Sequence, residues 1–381
     1  MAGAGVAAPI DAAGALLWNP AAVSGLAHSE FLIGLELLDL TNHVSSTAGP
    51  FTGETRSDAG VNALPTVAVA FQPQDSPWSF GLGMFSIGGF GANYPGGGTD
   101  PIFAPPPGGM GPVYSKLAVL QLVPTAAYRV TERLAIGFAP TVVVADVALD
   151  PDGLATPSPA GYPSATHTRT HWGLGFQAGI YYETESQWRF GASYKSPQWL
   201  EGLTFYDANP TGLPLTLKAD YPGIISVGTA YYGLPRTVCA VDVRYIDYAN
   251  TDLFGDDSGY DATGAMTGLG WRSVVSVAIG VQYELTDKCT IRGGYVYTQN
   301  PIRDADAFFN VAAPAVYQQI VAVGATWKMT CRTSLSLAYL HAFENSIAGP
   351  WNLPGVGPVP GTSVEIRQSI DALVAGMQVR F

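Results

Sequence analysis

Charged residues are scarce in this chain of 381 residues, and positive charge is the scarcer sign. Only 13% of the residues are charged, against about 25% in an average soluble domain, and 18 Lys and Arg stand against 30 Asp and Glu. The net charge of −12 and the lack of any stretch dense in Lys and Arg exclude nucleic acid as a partner. An aromatic content of 11% also excludes an intrinsically disordered chain.

Long hydrophobic runs are missing too, although 47% of the residues are hydrophobic. A transmembrane helix needs about 20 consecutive apolar residues, and every apolar segment here is interrupted sooner by Gly, Gln, Ser or a charge. The chain begins Met1-Ala2-Gly3-Ala4-Gly5, which lacks the basic and apolar regions of a secretory signal. Either a signal has been removed or the sequence begins late, and both interpretations stay open.

Cysteine occurs only three times, which is too few for a disulfide scaffold. No Cys or His cluster has the spacing of a zinc site. We predict that Cys239, Cys289 and Cys331 are unpaired and lie on the apolar faces of strands. A disulfide between Cys289 and Cys331 is the less favoured alternative, because an intervening strand should hold them roughly 10 Å apart.

Motifs of enzymes and metal sites are absent as well. There is no GxSxG, HExxH or phosphate-binding loop, and the glycines near position 90 lack the following helix that a dinucleotide site requires. His167 and His171 would lie about 13 Å apart on a strand, too far to share a metal. The acidic loop at residues 252–261 fits a solvated loop better than a Ca²⁺ site. We therefore expect a protein that is not an enzyme and has no metal or cofactor.

The sequence does contain segments in which large apolar residues alternate with small or polar ones. Val275, Val277 and Ile279 alternate with Ser276 and Ala278, and the pattern recurs at residues 172–182, 188–195 and 373–381. A period of two is typical of a β-strand with two different faces. Large side chains on one face and Gly, Ala and Ser on the other favour a membrane barrel, with lipid outside and a polar lumen inside, over a soluble sandwich.

The connections between these segments alternate between short turns and long loops rich in Gly, Pro and Asp. Six short turns lie at residues 74–76, 131–132, 183–187, 233–235, 286–288 and 329–330. Seven long loops span residues 43–62, 91–114, 150–168, 206–214, 250–268, 302–314 and 345–362. The alternation predicts an all-β membrane protein, a 14-stranded antiparallel transmembrane β-barrel with both termini on the short-turn side.

Aromatic residues cluster beside the short turns, where a membrane barrel has its interfacial girdle. They are Trp78, Tyr128, Tyr182, Trp188, Tyr231, Tyr283 and Trp327. The chain ends on Phe381, an outward-facing aromatic residue that barrel-assembly machinery would recognise. These features predict a monomer in the bacterial outer membrane, in contact with outer-membrane lipid and lipopolysaccharide.

Residues 1–27 do not alternate and look instead like small helices and turns. A barrel of this size should leave an open lumen unless something occupies it. We therefore divide the chain into an N-terminal hatch or plug at residues 1–27 and a transmembrane barrel at residues 28–381. The candidate plug residues are Asp11, Asn19, Pro20 and Ala21.

Two stretches of this segment, residues 4–13 (AGVAAPIDAA) and 19–26 (NPAAVSGL), resemble the N-terminal hatch of the FadL/TodX family of outer-membrane hydrophobe transporters. Residues 188–197 (WRFGASYKSP), 225–231 (ISVGTAY) and 292–301 (RGGYVYTQNP) are similar to strand signatures of that family, in the same order. The sequence departs from the family where Pro9-Ile10-Asp11 replaces the usual acidic pair. Family members also carry a short tail before the Ala/Gly run, and here that tail is either missing or not included in the sequence.

The resemblance implies capture of a hydrophobic molecule by the outer loops, a pocket in the lumen, and lateral exit where the third strand kinks. That strand, residues 78–91, contains Gly88, Gly89 and Gly91, and glycine inside a strand often marks a bulge or bend. These glycines form a candidate lateral gate. The alternative is a glycine-rich strand end that runs into a loop.

Apolar side chains in and near the outer loops are the candidate ligand contacts, because exposed apolar residues at such density are typical of a binding groove. They are Phe85, Phe90, Tyr94, Phe103, Trp199, Leu203 and Phe205. The alternative is that they only pack the loops together or contact lipid. Arg189, Lys195 and Arg244 face the lumen and are candidates to bind an acidic headgroup, although pairing with lumenal carboxylates such as Asp242 also accounts for them.

Taken together, these features favour a transporter for hydrophobic small molecules, with long-chain fatty acids as the first substrate class. The alternatives are an uptake channel for aromatic hydrocarbons, an open general porin, and a structural or adhesive barrel whose plug never opens.

Overall fold

The computed structural model is a closed antiparallel β-barrel, and it describes residues 1–167, 170–206 and 214–381, with only the backbone of Phe90. The wall closes because β1 (Glu30–Ala48) pairs with β3 (Val61–Phe71) on one side and with β20 (Thr362–Arg380) on the other. The fourteen predicted strand positions are confirmed.

The wall strands follow one another in chain order. After β1, the strands β2 (Phe51–Arg56) and β3 share the second position, and the others are β4 (Trp78–Tyr94), β5 (Val113–Arg129), β6 (Leu134–Asp150), β7 (His171–Glu183), β8 (Trp188–Lys195), β12 (Gly223–Leu234), β13 (Thr237–Asp247), β14 (Val274–Glu284), β15 (Cys289–Thr298), β16 (Gln319–Lys328), β17 (Thr333–Gly349) and β20. Shorter strands in the outer loops are β9 (Trp199–Leu200), β10 (Leu203–Phe205), β11 (Leu215–Leu217), β18 (Asn352–Leu353) and β19 (Gly357–Pro358).

Helices are few and short. In the described parts of the chain they are α1 (Ala12–Trp18) and three 3-10 helices, Pro20–Gly25, Pro101–Phe103 and Asp304–Asn310. Among the described residues, no helix has the length and apolar character needed to cross a membrane.

The predicted alternation of faces is confirmed along the wall. On β14, Ile279 is 46% exposed and faces outward, while its neighbour Ala278 is 1% exposed and faces the lumen. The predicted girdle aromatics lie at strand ends beside the short turns, and two neighbouring pairs among them are in contact. Ring centroids are 4.8 Å apart for Trp78 and Tyr128 and 4.7 Å apart for Trp188 and Tyr231.

The wall extends further than predicted on the loop side. Residues 43–62 were expected to form a long loop, but β1 continues to Ala48 and pairs with β2 as a hairpin. Polar side chains on the outer face support this extension, because Glu54 lies 2.9 Å from His43 and 2.7 Å from Arg367. Such cross-strand pairs stabilise a sheet whose residues face water instead of lipid.

The three cysteines are unpaired, as predicted. Cys239 and Cys289 are half-buried on wall strands. The placement of Cys331 on a strand face was wrong, because it is exposed in the turn before β17. Thr330 accepts hydrogen bonds from the backbone N–H groups of Arg332 and Thr333, which enlarges that turn by two residues over the predicted one.

Candidate functional site

Residues 1–27, called the N-terminal segment below, pack against lumenal faces of the wall. Asp11 caps α1, because its Oδ1 accepts a hydrogen bond of 2.8 Å from the backbone N–H three residues later. Asn19 ends α1 and caps the next 3-10 helix by accepting from Ala21 N at 3.1 Å. Pro20 takes the first position of that helix, where its missing N–H leaves no bond unmade. The four candidate plug residues thus give the segment its local shape.

A buried ion pair on β13 holds the segment to the wall. Asp242, which is fully buried, accepts hydrogen bonds from Gly5 N at 2.7 Å, from Val6 N at 3.0 Å and from Arg244 Nη2 at 2.9 Å. The Arg244 guanidinium also lies 3.6 Å from the ring centroid of Trp18, which attracts a cation electrostatically. Arg244 is therefore engaged by Asp242 and by the N-terminal segment.

Glycines on the lumenal face make room for the segment. A Cβ atom at Gly179 would lie 2.0 Å from Asn19 Oδ1, and one at Gly191 would lie 2.3 Å from Val6 O. Asn19 also donates hydrogen bonds to Val6 O at 2.9 Å and to Ile180 O at 3.0 Å. The small residues on the lumenal face of these strands therefore serve close backbone approach.

We predict that Gly191→Val displaces the N-terminal segment while the barrel stays folded. The added side chain cannot coexist with the carbonyl of Val6 at its present place. Cleavage of the segment by added protease should become roughly tenfold faster, because the rate follows the population of the open form. Gly376→Val is the matched control, since a Cβ there meets nothing closer than 3.5 Å. Equal cleavage of both variants would contradict the prediction.

A cavity of about 1030 Å³, called the outer cavity below, lies on the loop side of the N-terminal segment. Part of its lining is aromatic, because Tyr248, Phe254 and Trp271 pack with ring centroids 4.9 to 6.0 Å apart. Aliphatic side chains form much of the remaining lining: Leu38, Leu40, Ile87, Leu117, Val119, Ile320, Leu340 and Ile370. Such a surface suits a hydrophobic molecule.

The wall is interrupted between β3 and β4. Their ladder ends at the pair Thr66 and Phe85, next to Pro65, which has no N–H to donate. The register of β4 against β5 shifts between Ser86 and Gly88, so that the intervening residue is a bulge. Closer to the outer loops, the segment before β3 is bonded to β4 again, because Asp58 N donates a hydrogen bond of 2.7 Å to Asn93 O. We call the stretch between residues 59–65 and 86–92 the window.

The outer cavity reaches the window. Its lining includes the consecutive residues 62–65, 86–89 and 114–120. Successive residues of a strand point to opposite faces of the sheet. The cavity therefore borders both faces of the wall at this place, which makes it open sideways.

The predicted kink of the third strand is thus present, and Gly88, Gly89 and Gly91 all line the outer cavity. The first two are tightly surrounded. A Cβ at Gly88 would lie 2.0 Å from Tyr221 Oη, and one at Gly89 would lie 2.3 Å from Leu117 O.

The other apolar candidates lie away from the outer cavity, and the side chain of Phe90 is outside the described residues. Phe85 packs against the N-terminal segment. Tyr94 and Phe103 are fully buried in a core made by the outer loops, where their ring centroids are 5.0 Å apart. Leu203 and Phe205 belong to a second cluster under the loops, whereas Trp199 is 50% exposed on the outer surface. The loops bury their own apolar side chains, which agrees with the alternative interpretation.

The cations expected to bind a headgroup also lie elsewhere. Arg189 Nε is 3.7 Å from Glu183, and its guanidinium lies 3.7 Å from the ring centroid of Tyr232. Lys195 Nζ donates to Gln121 Oε1 at 3.1 Å. Together with Arg244, these cations are absent from the described lining of the outer cavity.

A second cavity of about 610 Å³, the inner cavity, lies beside the N-terminal segment near the short turns. More charged side chains line it than line the outer cavity, and its polar residues include Gln282, Glu284, Thr290, Arg292 and Lys328. Glu36 borders both cavities. An apolar molecule would meet water and charge on this side of the segment.

Sequence reasoning missed Tyr114 at the start of β5, which lines the outer cavity, and the aromatic residues that the connections contribute to it: Tyr221, Tyr248, Phe254, Trp271 and Tyr317. Each of the latter lies in a long connection, just before or after a wall strand or within an acidic loop. Aromatic residues at the loop ends of strands were therefore an available signal. The predicted aromatic girdle included only residues at the short-turn ends.

Comparisons with known proteins agree with this architecture. The family described as outer membrane protein transport protein (OMPP1/FadL/TodX) matches residues 1–381. Outer membrane protein P1 of Haemophilus influenzae is 24% identical over 394 residues, covering 89% of this chain and 82% of that protein. The solved toluene transporter TodX of Pseudomonas putida has a TM-score of 0.70 at 18% identity, with 97% and 94% of the two chains covered. A FadL homologue of Pseudomonas aeruginosa has a TM-score of 0.71 at 17% identity, with 99% and 96% covered. At these identities the solved structures show a shared fold.

Proposed function

The chain belongs to the OMPP1/FadL/TodX family of outer membrane transport proteins, and on this basis we propose that it passes hydrophobic small molecules from the outer cavity through the window into the membrane. The protein is located in the bacterial outer membrane. The proposal is carried by one observation: the outer cavity has a large aromatic and aliphatic part in its lining and borders both faces of the wall between β3 and β4.

The alternative path through the barrel is unfavourable for such a ligand. A molecule that passed the N-terminal segment would enter the highly charged inner cavity and then expose its apolar surface to water. Re-exposure costs about 0.8 kcal/mol per CH₂ group. We propose that residues 1–27 act as a plug, which would leave the window as the favoured exit.

The charges of the outer cavity favour an uncharged substrate. Its described lining contains the carboxylates Glu36, Asp58 and Asp146 and one cation, Lys116. Lys116 Nζ lies 2.5 Å from Asp146, so that cation already has a counter-ion. A carboxylate headgroup would find no free cation among these residues, whereas an aromatic or aliphatic hydrocarbon needs none.

One observation keeps fatty acids as a second candidate. Lys195 is 6% exposed, and none of the described carboxylates lies within 4.0 Å of its Nζ. A buried ammonium group without a counter-ion is unfavourable. A ligand carboxylate that reached Lys195 from the outer cavity would compensate its charge.

Uptake of two labelled probes tests both candidates. We expect cells that express the protein, and that lack other hydrophobe transporters, to take up naphthalene faster than palmitate. Lys195→Met should leave naphthalene uptake unchanged, because Lys195 does not line the outer cavity.

The other outcomes of the uptake experiment decide against one candidate substrate or against the proposed function. Fast palmitate uptake that is lost in Lys195→Met would establish the fatty acid candidate instead. Uptake of neither probe above that of cells without the protein would overturn the proposed function. The fold of each variant is checked by heat-modifiable gel mobility.

A further inference from the structure

Tyr221 lies at the inner side of the window. It comes from the connection that leads into β12, and its backbone is fixed by two hydrogen bonds with Gln198, of 2.9 Å and 3.1 Å. Its side chain reaches across the lumen to β4, where Tyr221 Oη donates to Ile87 O at 2.7 Å.

Both groups that the tyrosine touches belong to the bulge of β4. Ile87 is the extra residue of the bulge, so it has no partner in the register of β5. The ring lies over Gly88, because a Cβ atom there would be 2.0 Å from Tyr221 Oη and 2.5 Å from two ring carbons. Any side chain at position 88 would therefore compete with the ring for the same space.

The phenol is in the form that donates, because a tyrosine hydroxyl has an ordinary pKa of about 10 and is protonated at physiological pH. Burial raises the pKa of the Tyr221 hydroxyl further. A single hydrogen bond between neutral groups contributes little net stability, so it can break and re-form while a ligand passes.

We propose that the Tyr221 side chain is the gate of the window: it narrows the window while its hydroxyl is bonded to the carbonyl of Ile87, and it widens the window when the ring leaves Gly88. This inference rests on the proposed lateral exit and names the residue that controls it. The ring lines the outer cavity on one side and contacts the bulge on the other, so its rotation would widen the opening between the cavity and the lipid.

Labelling of a cysteine inside the window measures the gate without a transported substrate. Leu64 lines the outer cavity beside the window, and Leu64→Cys is placed in a variant whose three native cysteines are replaced by alanine. The probe is N-(1-pyrenyl)maleimide dissolved in the bilayer of proteoliposomes. Tyr221→Phe should raise its labelling rate about fivefold, the factor that corresponds to one lost hydrogen bond of about 1 kcal/mol.

Two controls make this result specific. Tyr162→Phe removes a hydrogen bond of the same kind, 2.7 Å from Tyr162 Oη to Gly264 O, between outer loops and away from the outer cavity, and it should leave the pyrene rate unchanged. A charged, water-soluble maleimide should label Leu64→Cys at the same rate with Tyr221 or Phe. A pyrene rate that does not change in Tyr221→Phe would overturn the proposal.

A double-mutant cycle tests the contact itself. Gly88→Ala should raise pyrene labelling in the presence of Tyr221, because the new methyl group displaces the ring. In a Tyr221→Ala background, Gly88→Ala should have no further effect. Independent effects of the two substitutions would show that the ring does not act at Gly88 and would also overturn the gate.

The labelling experiment tests the gate and the uptake experiment tests the proposed function, so the two claims can be rejected independently. If the wild type takes up no hydrophobic probe but labelling responds to Tyr221, the gate stands and the proposed function is wrong. If uptake is normal and labelling is indifferent to Tyr221, the function stands and the gate is wrong.

Discussion

Replacing Asp242 by alanine should open the lumen to small hydrophilic solutes. Asp242 holds Gly5 N, Val6 N and Arg244 at once, and it is fully buried. Its loss would leave the Arg244 charge buried without a counter-ion, which costs about 3–5 kcal/mol. The first residues of the N-terminal segment should therefore detach. Proteoliposomes carrying the variant should swell in sugar solutions at the rate of an open porin, whereas those with the wild type should not.

Two variants separate this mechanism from general damage. Asp371→Ala removes a carboxylate on the outer face that bonds Tyr339 and His341, and it should not cause swelling. Asp242→Ala combined with Arg244→Leu removes both charges, so it should cause less swelling than Asp242→Ala alone. Swelling by the wild type itself would contradict the prediction and favour the open porin among the alternatives.

The wall could be predicted from sequence because its pattern is local. Lipid outside and small or polar side chains inside impose a period of two that each strand shows alone, as Ala278 and Ile279 do. Local patterns predict strand ends less well. The sequence of residues 43–48, for example, is compatible with the continuation of a strand or with the start of a loop. Contacts with β2 decide the outcome there, and those contacts are not visible in the sequence of β1.

The window was also partly predictable, for the same reason. Gly88, Gly89 and Gly91 indicate a bulge within one strand, and Pro65 ends the neighbouring ladder by lacking an N–H. The ligand contacts could not be predicted from the sequence, because they depend on which loops, distant in the chain, pack against each other. Tyr94 stacks on Phe103 instead of lining the outer cavity. The local sequence around either residue does not determine which of these two positions the side chain takes.

Lateral exit predicts that a large side chain at one position on the edge of the window blocks uptake. Gly88 is unsuitable for blocking the exit, because a side chain there displaces Tyr221. Ala63 is better placed, since it is exposed on the outer face of β3 and lines the outer cavity at the window. A large apolar side chain at this position would lie among lipids, where it does not disturb folding.

Ala63→Trp should therefore lower uptake of naphthalene roughly tenfold, which is about 1.4 kcal/mol in the barrier, while heat-modifiable gel mobility stays normal. The indole fills the lipid side of the window and narrows the place where the cavity meets the outer face beside residues 62–65. Ala192→Trp is the matched control, because Ala192 is an exposed alanine on the outer face of β8, five positions around the wall from β3. It adds the same ring to the same lipid environment and should leave uptake unchanged. Normal uptake by a folded Ala63→Trp barrel would rule out the window as the exit, and it would require the ligand to pass the N-terminal segment instead.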